Sequence, residues 1–163
     1  MTSAVVPPVA VFRSVENLLG RGVLRVRPRS TLDWIELIRN GIPAAAVERL
    51  LTVMQVSQSD LARALGIPER TLARRKREGV LNSEESAKLL RLARVVGRAN
   101  EVFETPEAAL HWLKSPNSAL AGKTPFSLLD TDIGAEGVLD TLASFCRETR
   151  KVSDVLAFLA FSS

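Results

Sequence analysis

Arg70, Arg74 and Arg77 recur at i, i+4 and i+7, a spacing that sets them along one stripe of a helix with 3.6 residues per turn. A guanidinium offers a planar fork of N–H donors that pairs bidentately with guanine or bridges phosphate oxygens. Arg70 and Arg74 are placed to reach base edges. Arg75, Lys76 and Arg77 read as phosphate contacts, which orient a protein on DNA and make its binding salt-sensitive. Thr71 lies exposed beside them. Gln58, at the start of the preceding helix, is placed to touch a phosphate or a base. Glu69 either accepts from a cytosine amino group or supports the helix N-terminus through the dipole, and the second role is favoured.

These side chains need a rigid mount, and residues 57–77 supply one. Ser57 caps a first helix, with Asp60 in its first turn. Leu61, Ala62 and Leu65 form its apolar face, and Ala62 is small where two helices cross. Gly66 stands where the chain must turn, and glycine takes positive φ at little cost. Ile67 points back into the pair, Pro68 suits the start of a second helix, and Leu72 is that helix's buried contact. Two short helices, a tight turn and a cationic second helix are the parts of a helix-turn-helix. The alternative is an ordinary helical hairpin with a solvated basic face.

Charge is divided along the chain. Residues 63–98 carry 10 Lys and Arg against 4 Asp and Glu, whereas residues 99–163 carry 5 against 9. Such a split points to two different partners, or to an acidic part that folds back on a basic one. With 163 residues, 46% of them apolar and 25% charged, the chain is expected to be soluble, with one domain or two small ones. A single cysteine, Cys146, excludes an internal disulfide framework and fits a reducing cytosol. No apolar run is long enough to span a membrane. The apolar start, Met1–Phe12, lacks leading positive charge and carries Pro7 and Pro8, so a signal peptide is not expected.

Other chemistry is poorly supplied. His111 is the single histidine, which leaves no histidine-based metal cluster and no complete catalytic triad, and it reads as a helix-surface residue. Cys146 reads as a small core residue. Gly122-Lys123-Thr124 echoes a phosphate loop but lacks the earlier glycine and a preceding strand. Glu101, Glu104 and Glu107 read as solvated helix-end charge rather than paired catalytic acids. No enzyme activity, cofactor or metal is expected. Trp34, Trp112, Leu113, Leu120 and Phe126 read as core.

The fold class is all-α. Helices are expected over 32–40, 43–54, 58–65, 69–77 and 83–103, punctuated by Gly41 with Pro43, by Ser57, by Gly66 with Pro68, and by Gly79 before Asn82-Ser83-Glu84-Glu85. The long helix shows Ala87, Leu90, Ala93, Val96 and Val102 on one face, with Lys88, Arg91, Arg94 and Arg98 outside. Thr105-Pro106-Glu107 opens the next helix, and Ser115-Pro116-Asn117 ends it. A loop, a short turn at Phe126–Leu129 and a helix over about 135–146 follow. Residues 147–163 add one more helix, with Val152, Val155, Leu156 and Leu159 on one face; it either docks on a partner or packs on its own domain. Residues 1–30 read as a flexible basic arm with a short strand at Val23–Val26, either touching DNA phosphates or serving only as a leader. Residues 31–103 form the DNA-binding domain with its linking helix, and 104–163 a second domain.

Several stretches, in this order, carry a resemblance: Arg70-Thr71-Leu72-Ala73-Arg74-Arg75, Leu81-Asn82-Ser83-Glu84-Glu85-Ser86, Leu90-Arg91-Leu92-Ala93-Arg94-Val95, Ala108-Ala109-Leu110-His111-Trp112-Leu113, Pro116-Asn117-Ser118-Ala119-Leu120 and Thr124-Pro125-Phe126-Ser127-Leu128-Leu129. Together they resemble the antitoxins of the Xre/MbcA/ParS group over about residues 31–142. The resemblance implies a cytoplasmic protein with an Xre-like half that represses its own promoter and a second half that binds a toxin. The implied toxin has a RES domain, resembles ADP-ribosyltransferases, and consumes NAD or modifies a target. The antitoxin would cover its active-site cleft, and a homodimer within the larger complex would read paired half-sites on operator DNA about 34 Å apart. The resemblance places toxin contacts near the end of the chain, at Asp140, Phe145, Arg147, Arg150, Leu156, Phe158 and Phe161. The chain departs from the family's pattern there, running on as Ala143-Ser144-Phe145-Cys146-Arg147 to Ser163. The alternative is a plain helix-turn-helix regulator whose second half is a dimerisation or sensor domain.

Overall fold

In a computed structural model, the backbone is described for residues 8–161 and the side chains for residues 12–151. Eight α-helices follow one another: α1 Pro8–Leu19, α2 Thr31–Asn40, α3 Ala45–Met54, α4 Gln58–Leu65, α5 Glu69–Glu78, α6 Ser83–Phe103, α7 Pro106–Lys114 and α8 Asp132–Phe161. Two 3-10 turns, Ser118–Leu120 and Pro125–Leu128, bridge α7 to α8. The fold is all-α.

Several helix starts are set by side-chain caps, though α3 and α5 have none. Ser30 and Asp33 form a reciprocal capping box on α2, and Asn82 and Glu85 form another on α6. Thr105 caps α7, with Pro106 in its first turn. Asn117 and Thr124 cap the two 3-10 turns in the same way. Pro68 sits one place earlier than expected, just outside α5, with φ −56° and ψ 135°.

The 21-residue helix α6 is the axis of the molecule, touching α1, α2, α4, α7 and α8. Leu89, Leu92, Ala93, Val95, Val96 and Ala99 are all buried, so it is apolar over more than one face. The expected inward face is corrected at two positions: Ala87 is exposed, while Arg91, expected outside, keeps only 16% of its side chain in solvent. Leu50, Leu61, Leu65 and Leu72 from the first half and Leu113, Leu129, Val138 and Leu142 from the second join one continuous core. Trp34 is buried and stacks on Phe12 with ring centroids 5.2 Å apart. Leu113 is fully buried, while Trp112, Leu120 and Phe126 pack partly buried against the core.

The basic leader departs most from expectation. Residues 8–19 form α1, whose Val15, Leu18 and Leu19 enter the core against α6 and α3. Gly97 permits this crossing, because a Cβ there would lie 3.1 Å from that of Ser14. The apolar period of Val9-Ala10-Val11-Phe12 and Val15 was hidden by the prolines and arginines around it. Val23–Val26 is a turn rather than a strand, with Leu24 buried.

The end of the chain also differs. A single 30-residue helix, α8, replaces the two expected, because neither glycine nor proline occurs between Val138 and Phe161. Its last buried side chain in the described range is Leu142. Beyond it the helix continues for about 28 Å at 1.5 Å per residue.

Candidate nucleic-acid and partner interfaces

α4 and α5 form the expected pair. Ser57 Oγ accepts from Asp60 N at 3.1 Å and caps α4. Gly66 ends α4 in the left-handed region at φ 61° and ψ 37°, and Ile67 N returns to Ala62 O at 3.0 Å. Leu61, Ala62, Leu65, Ile67 and Leu72 are buried between the helices and α6. Apart from Ala73, the rest of α5 is polar, so Leu72 and a set of ion pairs hold it in place.

The ion pairs divide the cationic residues into two groups. Glu69, Arg70, Arg74 and Arg77 are exposed, and Thr71 is half-buried. Arg70 and Arg77 have no ion pair among the described residues, and Arg74 has only an exposed 3.6 Å approach to Glu78. This group is the stripe read from the spacing.

Arg75 and Lys76 depart from the phosphate-contact reading. Arg75 turns inward, its Nε donating to Glu85 Oε2 at 2.8 Å and Oε1 at 3.1 Å, with Nη1 2.7 Å from Glu78. These carboxylates, Glu78 first and Glu85 second, raise its pKa further above the usual guanidinium value. Lys76 Nζ donates to Gln58 Oε1 at 2.7 Å and pairs with Glu48 at 2.5 Å. Gln58 and Lys76 therefore clamp α4 to α5. The physical reason is helical phase: positions 75 and 76 lie off the Arg70–Arg74–Arg77 stripe and face the flanking helices α6 and α3.

Glu85 was legible only as an acid in the first turn of α6. It is buried to 6% exposure and serves both the capping box and Arg75. Ser86, fully buried, accepts from Ile42 N at 2.9 Å. Lys88 Nζ reaches Gly66 O at 3.3 Å and pairs with Glu84 at 2.9 Å, a partnership that holds the Glu84 carboxyl below its usual range.

The second half is bolted to this unit. Arg91 pairs with Asp132 at 2.5 Å and donates to the carbonyls of Leu129 and Asp130 at 3.1 and 3.2 Å. Lys114 Nζ donates to the carbonyls of Met54 and Gln55 at 3.0 and 3.1 Å, closing the end of α3. Asp130 also abuts the turn of the helix-turn-helix: a Cβ at Gly66 would lie 3.3 Å from its carbonyl oxygen.

On α8, Asp140, Arg147 and Arg150 are exposed. Asp140 and Arg147, seven residues apart, share one face. Phe145 is 41% exposed and leans on Phe103 at 5.1 Å, which in turn meets Trp112 at 5.5 Å. The side chains of Leu156, Phe158 and Phe161 lie outside the described residues. His111 is exposed and Cys146 is partly buried. No helix among the described residues is long and apolar enough to cross a membrane.

Residues 33–94 match the family model of the antitoxin Xre-like helix-turn-helix domain. Residues 98–145 match that of the antitoxin Xre/MbcA/ParS C-terminal toxin-binding domain. The "Antitoxin Xre" of Yersinia enterocolitica is 30% identical over 110 residues, covering 66% of this chain and 74% of that protein. The "Prs ADP-ribosylating antitoxin" of a Sphingobium species is 31% identical over 124 residues, covering 70% and 78%. An "Antitoxin Xre" of Photorhabdus laumondii is 30% identical over 108 residues, covering 65% and 73%.

Proposed function

The chain belongs to the Xre/MbcA/ParS antitoxins, carrying their helix-turn-helix and toxin-binding domains, and from that premise we propose that it silences its own operon while covering the active site of a RES-domain toxin. The observation that carries the DNA-binding part is the partition on α5. Arg70, Arg74 and Arg77 face solvent, while Leu72, Arg75 and Lys76 fasten the opposite side to α6, α4 and α3. A recognition helix needs that rigidity, because base-edge contacts tolerate little displacement. Arg70 and Arg74 read base edges, Arg77 meets a phosphate, and Thr71 and Glu69 line the same approach. A homodimer would place two such helices on half-sites about 34 Å apart.

The toxin side is α8. Past Leu142 it leaves the core and presents Phe145, Arg147 and Arg150, with Asp140 on the preceding turns. An aromatic anchor flanked by charges suits a protein partner. Leu156, Phe158 and Phe161 extend the same helix. A relative named for Prs ADP-ribosylation supports a toxin that handles NAD by ADP-ribosyl transfer. Such a toxin would act in the cytoplasm, where this antitoxin would meet both it and the operator.

The test is growth of cells expressing the adjacent reading frame, with and without this chain, followed by co-purification. Rescue with a stable complex is expected. Toxicity unrelieved by this chain, or no toxicity, would leave a helix-turn-helix regulator.

A further inference from the structure

We propose that the loop Arg25–Arg29 is a second DNA-backbone contact that extends the footprint past the end of α5, an inference that rests on the DNA-binding reading above. Arg25, Arg27 and Arg29 are all exposed. None of them has an ion pair among the described residues. Cations left without carboxylate partners hold solvent counterions, which a phosphate backbone displaces.

The loop is anchored at both ends. On one side Leu24 is buried, and the amides of Val23 and Leu24 donate to Gly20 O at 3.0 and 3.2 Å. On the other, the Asp33 carboxylate accepts from Arg29 N at 2.7 Å and Ser30 N at 3.0 Å. The arginines between these anchors are therefore presented from a defined place.

That place adjoins the recognition helix. Arg25 and Arg27 line a groove of about 500 Å³ together with Gly79 and Val80, the residues that follow α5. Arg77 stands two positions before Gly79. The loop therefore lies beside the C-terminal end of α5. Two carboxylates line the groove as well, and both are already engaged. Asp33 caps α2, and Glu36 pairs with Arg39 at 3.0 Å. Three exposed arginines, unpaired among the described residues and beside the end of α5, select nucleic-acid backbone over an acidic protein as the occupant. Contacts from this loop would position the protein and carry no base preference.

The experiment is the salt dependence of binding of the full chain to two duplexes, the DNA upstream of its own reading frame and an unrelated sequence. The Arg25→Gln/Arg27→Gln variant should lower the slope of log K against log salt by about 2, at roughly 0.9 per phosphate lost, equally on both duplexes. The ratio of affinities for the two should stay unchanged, as should the thermal midpoint, since both side chains are exposed. An unaltered slope in a variant that still binds DNA would overturn the loop contact alone. No binding of either duplex by the unmodified chain would overturn the DNA-binding reading itself. Normal DNA binding with lost toxin capture would reassign the loop to the protein partner.

Discussion

Arg75 Nε lies 2.8 Å from Glu85 Oε2, joining the recognition helix to the capped start of α6. Glu85 also accepts from Asn82 N at 2.9 Å, so one buried carboxylate fixes the angle between the two helices. Its position sets the angle at which α5 is presented, although both residues point away from the exposed arginine stripe.

Arg75→Ala is therefore expected to act on stability. It strands a largely buried carboxylate and should cost about 2 kcal/mol, in line with hydrogen bonds to charged groups. Urea unfolding reads this cost directly. The slope of DNA affinity against salt should stay put; a slope lowered by about one unit with unchanged stability would return Arg75 to the phosphate contacts.

Arg74→Ala should do the reverse. Its side chain is 55% exposed with a loose 3.6 Å partner, so unfolding should shift by no more than about 0.5 kcal/mol. Operator binding should weaken by about 1–3 kcal/mol, with relaxed preference at one base position. Equal loss on every sequence would make Arg74 a phosphate contact.

Arg91 ties α6 to the head of α8 through Asp132 and two carbonyls. Arg91→Ala should destabilise the chain by about 2 kcal/mol or more, because the carbonyls of Leu129 and Asp130 lose their shared donor. Amide exchange should rise first around residues 128–135. Uniform protection there would show that the apolar contacts of Ala135 and Val138 suffice.

Ending the chain after Cys146 should spare the fold, since the last described core residue is Leu142. DNA binding should be retained, whereas toxin capture should weaken at least tenfold. Capture at full strength from the shortened chain would move the inhibitory surface away from the end of α8.

Acid should expose the α2 cap. Backbone donation from Arg29, then from Ser30, holds the Asp33 carboxyl below its usual range. A depressed folded pKa gives stability that is present above the unfolded value near 3.9 and lost as pH falls through the folded one. Asp33→Asn should therefore flatten part of the stability decline below about pH 4. Identical acid limbs for the two proteins would show that the cap adds nothing to it.

The sequence alone determined whatever depends on neighbours within a turn or two. Ser57, Gly66, Asn82 with Glu85, and Thr105 with Pro106 mark helix ends through local hydrogen bonds and backbone freedom, and the structure has helix ends at each. The stripe of Arg70, Arg74 and Arg77 follows from helical phase alone. Tertiary structure decided which cations are spent internally. Arg75 and Arg77 look alike in the chain, yet only Arg75 meets Glu85, ten residues on; Arg91 finds Asp132, 41 residues away. α1 likewise declares itself only where Gly97 of a distant helix leaves room for Ser14. Pairings of this kind depend on packing between remote segments, which a one-dimensional pattern of charge and hydropathy does not encode.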